Sequence, residues 1–121
     1  MRVGYYPAWE RGPVKDFLDG LEKDGQRVKA AARLHLDVDK LGAFWPQWRS
    51  VNIRVKSMVG HKPLWELVRE YDGMAYRIFF CVQKDQIWLL HAIEKKTQKT
   101  PQSDLDLAYN RMQSILKGGA S

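Results

Sequence analysis

Cysteine is almost missing from this chain: Cys81 stands alone among 121 residues. An intrachain disulfide is impossible, which points to a reducing compartment. Cys81 lies inside an apolar run and reads as a small buried hydrophobe rather than a nucleophile. Long hydrophobic runs are missing too. None approaches the roughly 20 residues that cross a bilayer, and Met1 to Tyr6 holds no signal-peptide stretch. The expectation is a cytoplasmic protein with no membrane partner. Histidine is scarce: His35, His61 and His91 form no i, i+3 or i+4 pair, so no metal site is expected. A glycine-rich phosphate loop and a nucleophile elbow are both lacking. These gaps argue against a metal-dependent or nucleotide-binding enzyme, and no cofactor is expected. Without repeats, linkers or low-complexity tracts, residues 1–121 read as one domain.

Acidic residues are absent from two stretches. None occurs between Asp39 and Glu66, where Arg49, Arg54, Lys56, His61 and Lys62 lie. None occurs between Glu94 and Asp104, where Lys95, Lys96 and Lys99 lie. The formal charge is +6 and the isoelectric point about 9.6, a balance that favours a polyanionic partner. The two stretches either form one phosphate-facing patch or are two ordinary solvated loops. The patch reading sets Lys62, Lys95, Lys96 and Lys99 on one surface. Five Trp, five Tyr and four Phe exceed what a one-layer core needs, so most fill the core and some serve a surface.

The period of the apolar residues orders the elements. Arg2 to Ala8 reads as an edge strand ended by Pro7. Gly12-Pro13 opens a helix whose Val14, Phe17, Leu18 and Leu21 share one face. A second helix runs from about Asp24, its expected cap, to Phe44. Its Ala31, Leu34, Val38, Leu41 and Trp45 form a sheet-facing stripe. The short connection makes the two helices an antiparallel hairpin. Val51, Ile53 and Val55 alternate with Asn52, Arg54 and Lys56, as a short strand or an extended arm. Leu64 to Tyr71, Ala75 to Gln83 and Ile87 to Ile93 read as three strands, joined by Asp72-Gly73 and Lys84-Asp85 turns too short for crossovers. In the middle strand Tyr76, Ile78, Phe80 and Val82 face one way, and Arg77, Phe79 and Cys81 the other. Thr100 as cap and Pro101 at the first position start a last helix, with Leu105, Ala108, Met112 and Ile115 in period and Gly118-Gly119 at its end. The expected class is α+β: a small antiparallel sheet, an N-terminal helical hairpin packed on it and a C-terminal helix.

Two places invite chemistry. Arg77 lies in mid-strand, where an arginine costs desolvation unless it meets an anion or opens onto solvent. The stretch from His91 through Lys95, Lys96 and Lys99 to Pro101 brings a strand end and lysines to a helix N-terminus, a good anion site. Pro63-Leu64-Trp65-Glu66-Leu67, Tyr76-Arg77-Ile78, Leu89-Leu90-His91 and Lys95-Lys96-Thr97-Gln98-Lys99-Thr100-Pro101 together resemble phage-derived HigB-type toxins of the RelE superfamily. The likeness is sharpest from His61 to Leu116 and looser at Tyr5-Tyr6 and Val14 to Leu21. It implies a RelE-like fold and a toxin of a type II toxin–antitoxin system, partnered by a helix-turn-helix antitoxin. It also implies a metal-free mRNA interferase acting on mRNA, often in the ribosome, in which the ribose 2′-OH attacks the adjacent phosphate. On that resemblance Arg77 faces the scissile phosphate, and Lys95 and Lys96 stabilise charge or move protons. His91, the nearby side chain that ordinarily titrates near neutrality, is the candidate acid or base; it is otherwise a structural histidine. Lys62, Lys99, Arg54 and Lys56 are candidate RNA contacts.

The sequence departs from the resemblance at two points. An arginine commonly follows the Leu-Trp-Glu-Leu block directly; here Val68 intervenes before Arg69. Either a bulge returns Arg69 to the site or its contribution is lost, since one residue of slip reverses a side chain's face. The segment from Trp45 to His61 has no counterpart. Two other readings stand beside the toxin: a nucleic-acid- or ribosome-binding module without catalysis, and a degenerate toxin kept for antitoxin binding.

Overall fold

Alternating and helical apolar periods become five strands and three α-helices in the structure, a computed structural model that describes residues 1–96 and 99–118. In chain order these are β1 (Arg2–Tyr5), α1 (Pro13–Lys23), α2 (Val28–Phe44), a 3-10 turn (Trp48–Ser50), β2 (Arg54–Ser57), β3 (Trp65–Tyr71), β4 (Met74–Gln83), β5 (Gln86–Lys95) and α3 (Gln102–Leu116). The sheet order is β1-β5-β4-β3-β2. Strands β2 to β5 are antiparallel, but β1 lies parallel to β5. The sheet is therefore mixed, not wholly antiparallel. Parallel neighbours need a long crossover, and the chain between β1 and β5 is ample for one. Residues 51–56 resolve as a strand at the opposite edge, beginning only at Arg54 after the 3-10 turn.

Two cores sandwich the sheet. The helical hairpin lays Val14, Leu18, Ala31, Leu34 and Leu41 against Leu67, Ile78, Phe80 and Leu89. Helix α3 lays Ala108, Met112 and Ile115 against Phe79, Cys81, Leu90 and Ile93. Strand β4 thus divides its alternating residues between the cores, and both its faces are covered. That is why its sequence is nearly continuously apolar.

Turn geometry and register set the positions of the polar side chains on the sheet. Asp72 and Gly73 both take left-handed backbone, with φ of 52° and 79°, as a two-residue hairpin turn requires. The register of β3 on β4 then runs unbroken from Trp65↔Phe80 to Tyr71↔Met74. Between β4 and β5 it shifts: Phe79 pairs with His91 and Phe80 with Leu89, leaving Leu90 as an extra residue. The bulge turns both Leu90 and His91 toward α3, and Arg111 of α3 donates to the Leu90 carbonyl at 2.8 Å.

Two expected caps do other work. Asp24 ends α1 instead of starting α2; its carboxylate accepts the Gln26 N–H at 2.9 Å and an Arg27 guanidinium N–H at 2.7 Å. A carboxylate that bonds the backbone two residues on makes a turn, not a helix start. Pro101 takes the cap position of α3, one residue earlier than the first helical turn, because the Thr100 hydroxyl is engaged elsewhere. Gly118 follows α3 with φ of 74°; Gly119 lies outside the described residues.

Candidate functional site

Residues opposite each other across an antiparallel pair share a face. On the α3 side the register sets Arg54, Val68, Arg77 and Ile93 in one row. The next row holds Lys56, Glu66, Phe79 and His91, and a shorter one Glu70, Ala75 and Lys95. Arg54, Lys56, Arg77, His91 and Lys95 are thereby brought to one face of the sheet. Arg54, Lys56 and Lys95 are exposed there, and Arg54 donates to Glu70 at 3.0 Å. Lys99 is exposed on the segment that leads into α3.

Arg77 does not open onto a groove. It is 1% exposed, and its Nη1 donates to Oε1 of Glu66, also 1% exposed, at 3.0 Å. The Thr100 hydroxyl donates to the other Glu66 oxygen at 2.8 Å. The expectation of a phosphate-facing strand arginine is corrected on this point. A guanidinium in an apolar strand needs an anion, and the protein supplies one from the Leu-Trp-Glu-Leu block. The pair also ties the end of the β5–α3 segment to the sheet.

Arg69 is not returned to the site. With no bulge between β3 and β4, it sits opposite Tyr76 on the hairpin side. There Nε and Nη2 make a bidentate pair with Asp37 of α2 at 2.7 and 2.6 Å. That bond holds the guanidinium pKa above its ordinary value. The structure therefore separates Arg69 from Arg77 by the thickness of the sheet.

The lysines divide as well. Lys95 pairs opposite Ala75 at the Asp72-Gly73 end of the sheet. Lys96 lines a cleft of about 230 Å³ with Gln26, Arg27, Tyr71, Asp72, Met74 and Tyr76. In that cleft burial, then a hydrogen bond to Glu94, pushes the Tyr76 hydroxyl up to about 12. Lys62 precedes β3, whose Trp65 pairs with Phe80, five residues along β4 from Ala75. At ~3.3 Å per residue that is roughly 16 Å. The expected single patch of four lysines is divided: Lys95 and Lys62 lie toward opposite ends of the sheet, and Lys96 lies with Arg27 and Tyr76 on the hairpin side. Thr97 and Gln98 of the lysine-rich block lie outside the described residues.

On the face that bears Lys95, His91 Nε2 and Asp104 Oδ1 are 2.8 Å apart, with side chains 14% and 21% exposed. Phe79 stacks on the imidazole at 6.0 Å and 15°. A second, looser pair joins His61 to Asp106 at 3.8 Å, with Tyr109 edge-on to the His61 ring at 5.1 Å. An imidazole oriented by a carboxylate can move a proton, and cations around it can hold a phosphodiester. Among the described residues, no group of three or more His, Cys, Asp or Glu side chains converges on a metal position.

Sequence reasoning missed Glu66, Thr100 and Asp104. Glu66 was within reach: the Asp72-Gly73 turn fixes the pairing, which puts a lone mid-strand acid diagonal to a lone mid-strand arginine. Asp104 read only as an acid in a first helical turn, and nothing pointed it at His91.

The sequence of residues 16–113, from α1 to the last turns of α3, matches the profile of the family described as phage-derived protein Gp49-like. The chain belongs to the Gp49-like family. The Gp49-like proteins are a family of toxins from toxin–antitoxin systems, and membership is compatible with that role and with an antitoxin partner. No curated protein and no solved structure matches the chain. No helix among the described residues is long and apolar enough to cross a membrane.

Proposed function

We propose that this Gp49-like chain is the toxin of a toxin–antitoxin pair and a HigB-type mRNA interferase, cleaving mRNA on the ribosome without a metal. The observation that carries the reading is the cationic face: Arg54, Lys56 and Lys95 share the side of the sheet that bears the His91–Asp104 pair. In the proposed reaction a base takes the proton of a ribose 2′-OH. The oxygen attacks the adjacent phosphorus, the bond to the 5′-oxygen breaks, and an acid protonates that leaving oxygen. The products are a 2′,3′-cyclic phosphate and a 5′-hydroxyl. His91 serves as acid or base, oriented by Asp104. Lys95 and Lys96 stabilise the charge that develops on the phosphate oxygens. Lys99, Arg54, Lys56 and, further along the strand of RNA, Lys62 bind the backbone. Arg77 is a positioning residue here, acting through Glu66 and Thr100 on the segment that carries the lysines. Arg69 holds β3 to α2.

Burial of Arg77 favours a second reading, a ribosome- or RNA-binding module without cleavage, because the strand arginine is already spent on Glu66. One experiment separates the two. The purified chain is added to translating ribosomes with a defined mRNA, and the 5′ ends of the products are mapped. The interferase reading expects cuts that vanish when the ribose at the cut site lacks its 2′-OH, and that fall by about 10²-fold in Lys95→Ala/Lys96→Ala. Binding without cuts, at any concentration, leaves the second reading standing.

A further inference from the structure

Helix α2 buries Ala30, Ala31, Leu34, Val38 and Leu41. Its outward face adds apolar residues to the charges that a surface helix normally shows water. Val28, Ala32, Leu36 and Ala43 are all exposed. Their spacing of i, i+4, i+8 and i+15 makes one line along the helix. Val28 is 43% exposed and Leu36 59%. Directly beside this line run Lys29, Arg33 and Lys40, at i, i+4 and i+11. The Arg33 guanidinium lies 5.5 Å from the Tyr71 ring centroid, which fixes it at the rim. Asp39, exposed at i+11 from Val28, lies within this line toward its C-terminal half, between Leu36 and Ala43 along the helix.

We propose that this face of α2 is a docking surface for an acidic amphipathic helix of a partner protein. The apolar seam of the partner packs on Val28, Ala32 and Leu36, and its carboxylates meet Lys29, Arg33 and Lys40. Charge complementarity selects this occupant. The +6 chain attracts an acidic partner at long range, and the lysine flank sets its register. A second copy of the chain fits poorly, because antiparallel self-pairing about a two-fold axis sets the cationic flank against itself. A lipid surface fits poorly too, since the seam offers one leucine, one valine and two alanines for insertion. Seventeen residues of α2 give about 25 Å of contact, enough for a helix pair. The surface rests on the proposed function only in that an antitoxin is the partner a toxin implies; it does not depend on RNA cleavage.

The test uses the whole chain, labelled for NMR, and a synthetic helix of about three heptads with a leucine seam and glutamate flanks. A copy with lysine flanks is the control. The glutamate helix should shift α2 resonances saturably, with affinity falling steeply as salt rises, and the lysine helix should not. Leu36→Asp should weaken binding about tenfold or more, while Leu116→Asp, at an exposed leucine on another helix, should not. Lys29→Glu/Lys40→Glu should exchange the preference to the lysine helix. Equal binding of both helices, undiminished binding by Leu36→Asp, no binding at all, or shifts confined to other elements would each overturn the proposal. So would Leu36-dependent binding to anionic vesicles alone. Leu36→Asp should leave growth arrest and RNA cleavage intact, so failure here is separate from failure of the toxin reading.

Discussion

At the scale of residues, burial decides what a charge is for. Arg77 and Glu66 are each 1% exposed, so removing one strands the other. Arg77→Ala is expected to cost roughly 3–5 kcal/mol, the range for breaking a buried ion pair, read from urea melts. Arg77→Met/Glu66→Leu should recover most of that loss, since no charge is then left buried. A melt of Arg77→Ala that overlays the wild type would show that the pair does not hold the fold. Cys81 obeys the same rule. Burial pushes its thiol up to about 12, so the thiolate that does the chemistry is negligible at neutral pH. A thiol-specific reagent should label the native chain hardly at all and label it fully in denaturant. Fast native labelling would place Cys81 at the surface.

At the scale of elements, polar staples join layers that the apolar pattern only brings near. The Asp37–Arg69 pair fastens α2 to β3, and its two ends are unequal: the Arg69 side chain is 26% exposed and that of Asp37 2%. Arg69→Ala leaves a carboxylate buried without its cation and should cost about 3 kcal/mol. Asp37→Ala frees a guanidinium that can turn to water, and should cost about 1–2 kcal/mol. Equal losses in thermal or urea unfolding would contradict this asymmetry. The β5 bulge is another such device. It spends one residue, Leu90, to send His91 to the face that carries Lys95 and Lys56.

At the scale of the whole molecule, the net charge of +6 concerns association more than folding. RNA or ribosome binding should weaken linearly in log salt, and each phosphate contact removed should flatten the slope by about 0.7 for single-stranded RNA. Lys95→Ala and Lys62→Ala sit at opposite ends of the sheet face, so their effects should add. A slope that ignores both would remove the lysines from the interface. Binding that does not respond to salt would dismiss the polyanion reading altogether.

The order of elements was legible in the sequence because periods of 3.6 and 2 residues, a proline start and an Asp-Gly turn are local signals. They marked β3 and β4 within a residue, ran β1 three residues too far and ended β5 two residues early, and they split β4 correctly into its two faces. Local signals also pointed to Arg77 and to the lysines after β5 as notable residues. What the sequence did not determine were the relations across the fold. The parallel seat of β1 on β5 is a pairing of remote segments. The bulge at Leu90 depends on how β5 lies against β4, and α3 supports it through Arg111. The partners of the charges were decided the same way: Arg77 found Glu66, Arg69 found Asp37, and His91 found Asp104. Each needed a second element at a fixed distance, and only the packed layers supply that distance. A buried charge takes whichever counter-charge the tertiary structure brings within reach, because leaving it alone costs more than any local preference can return.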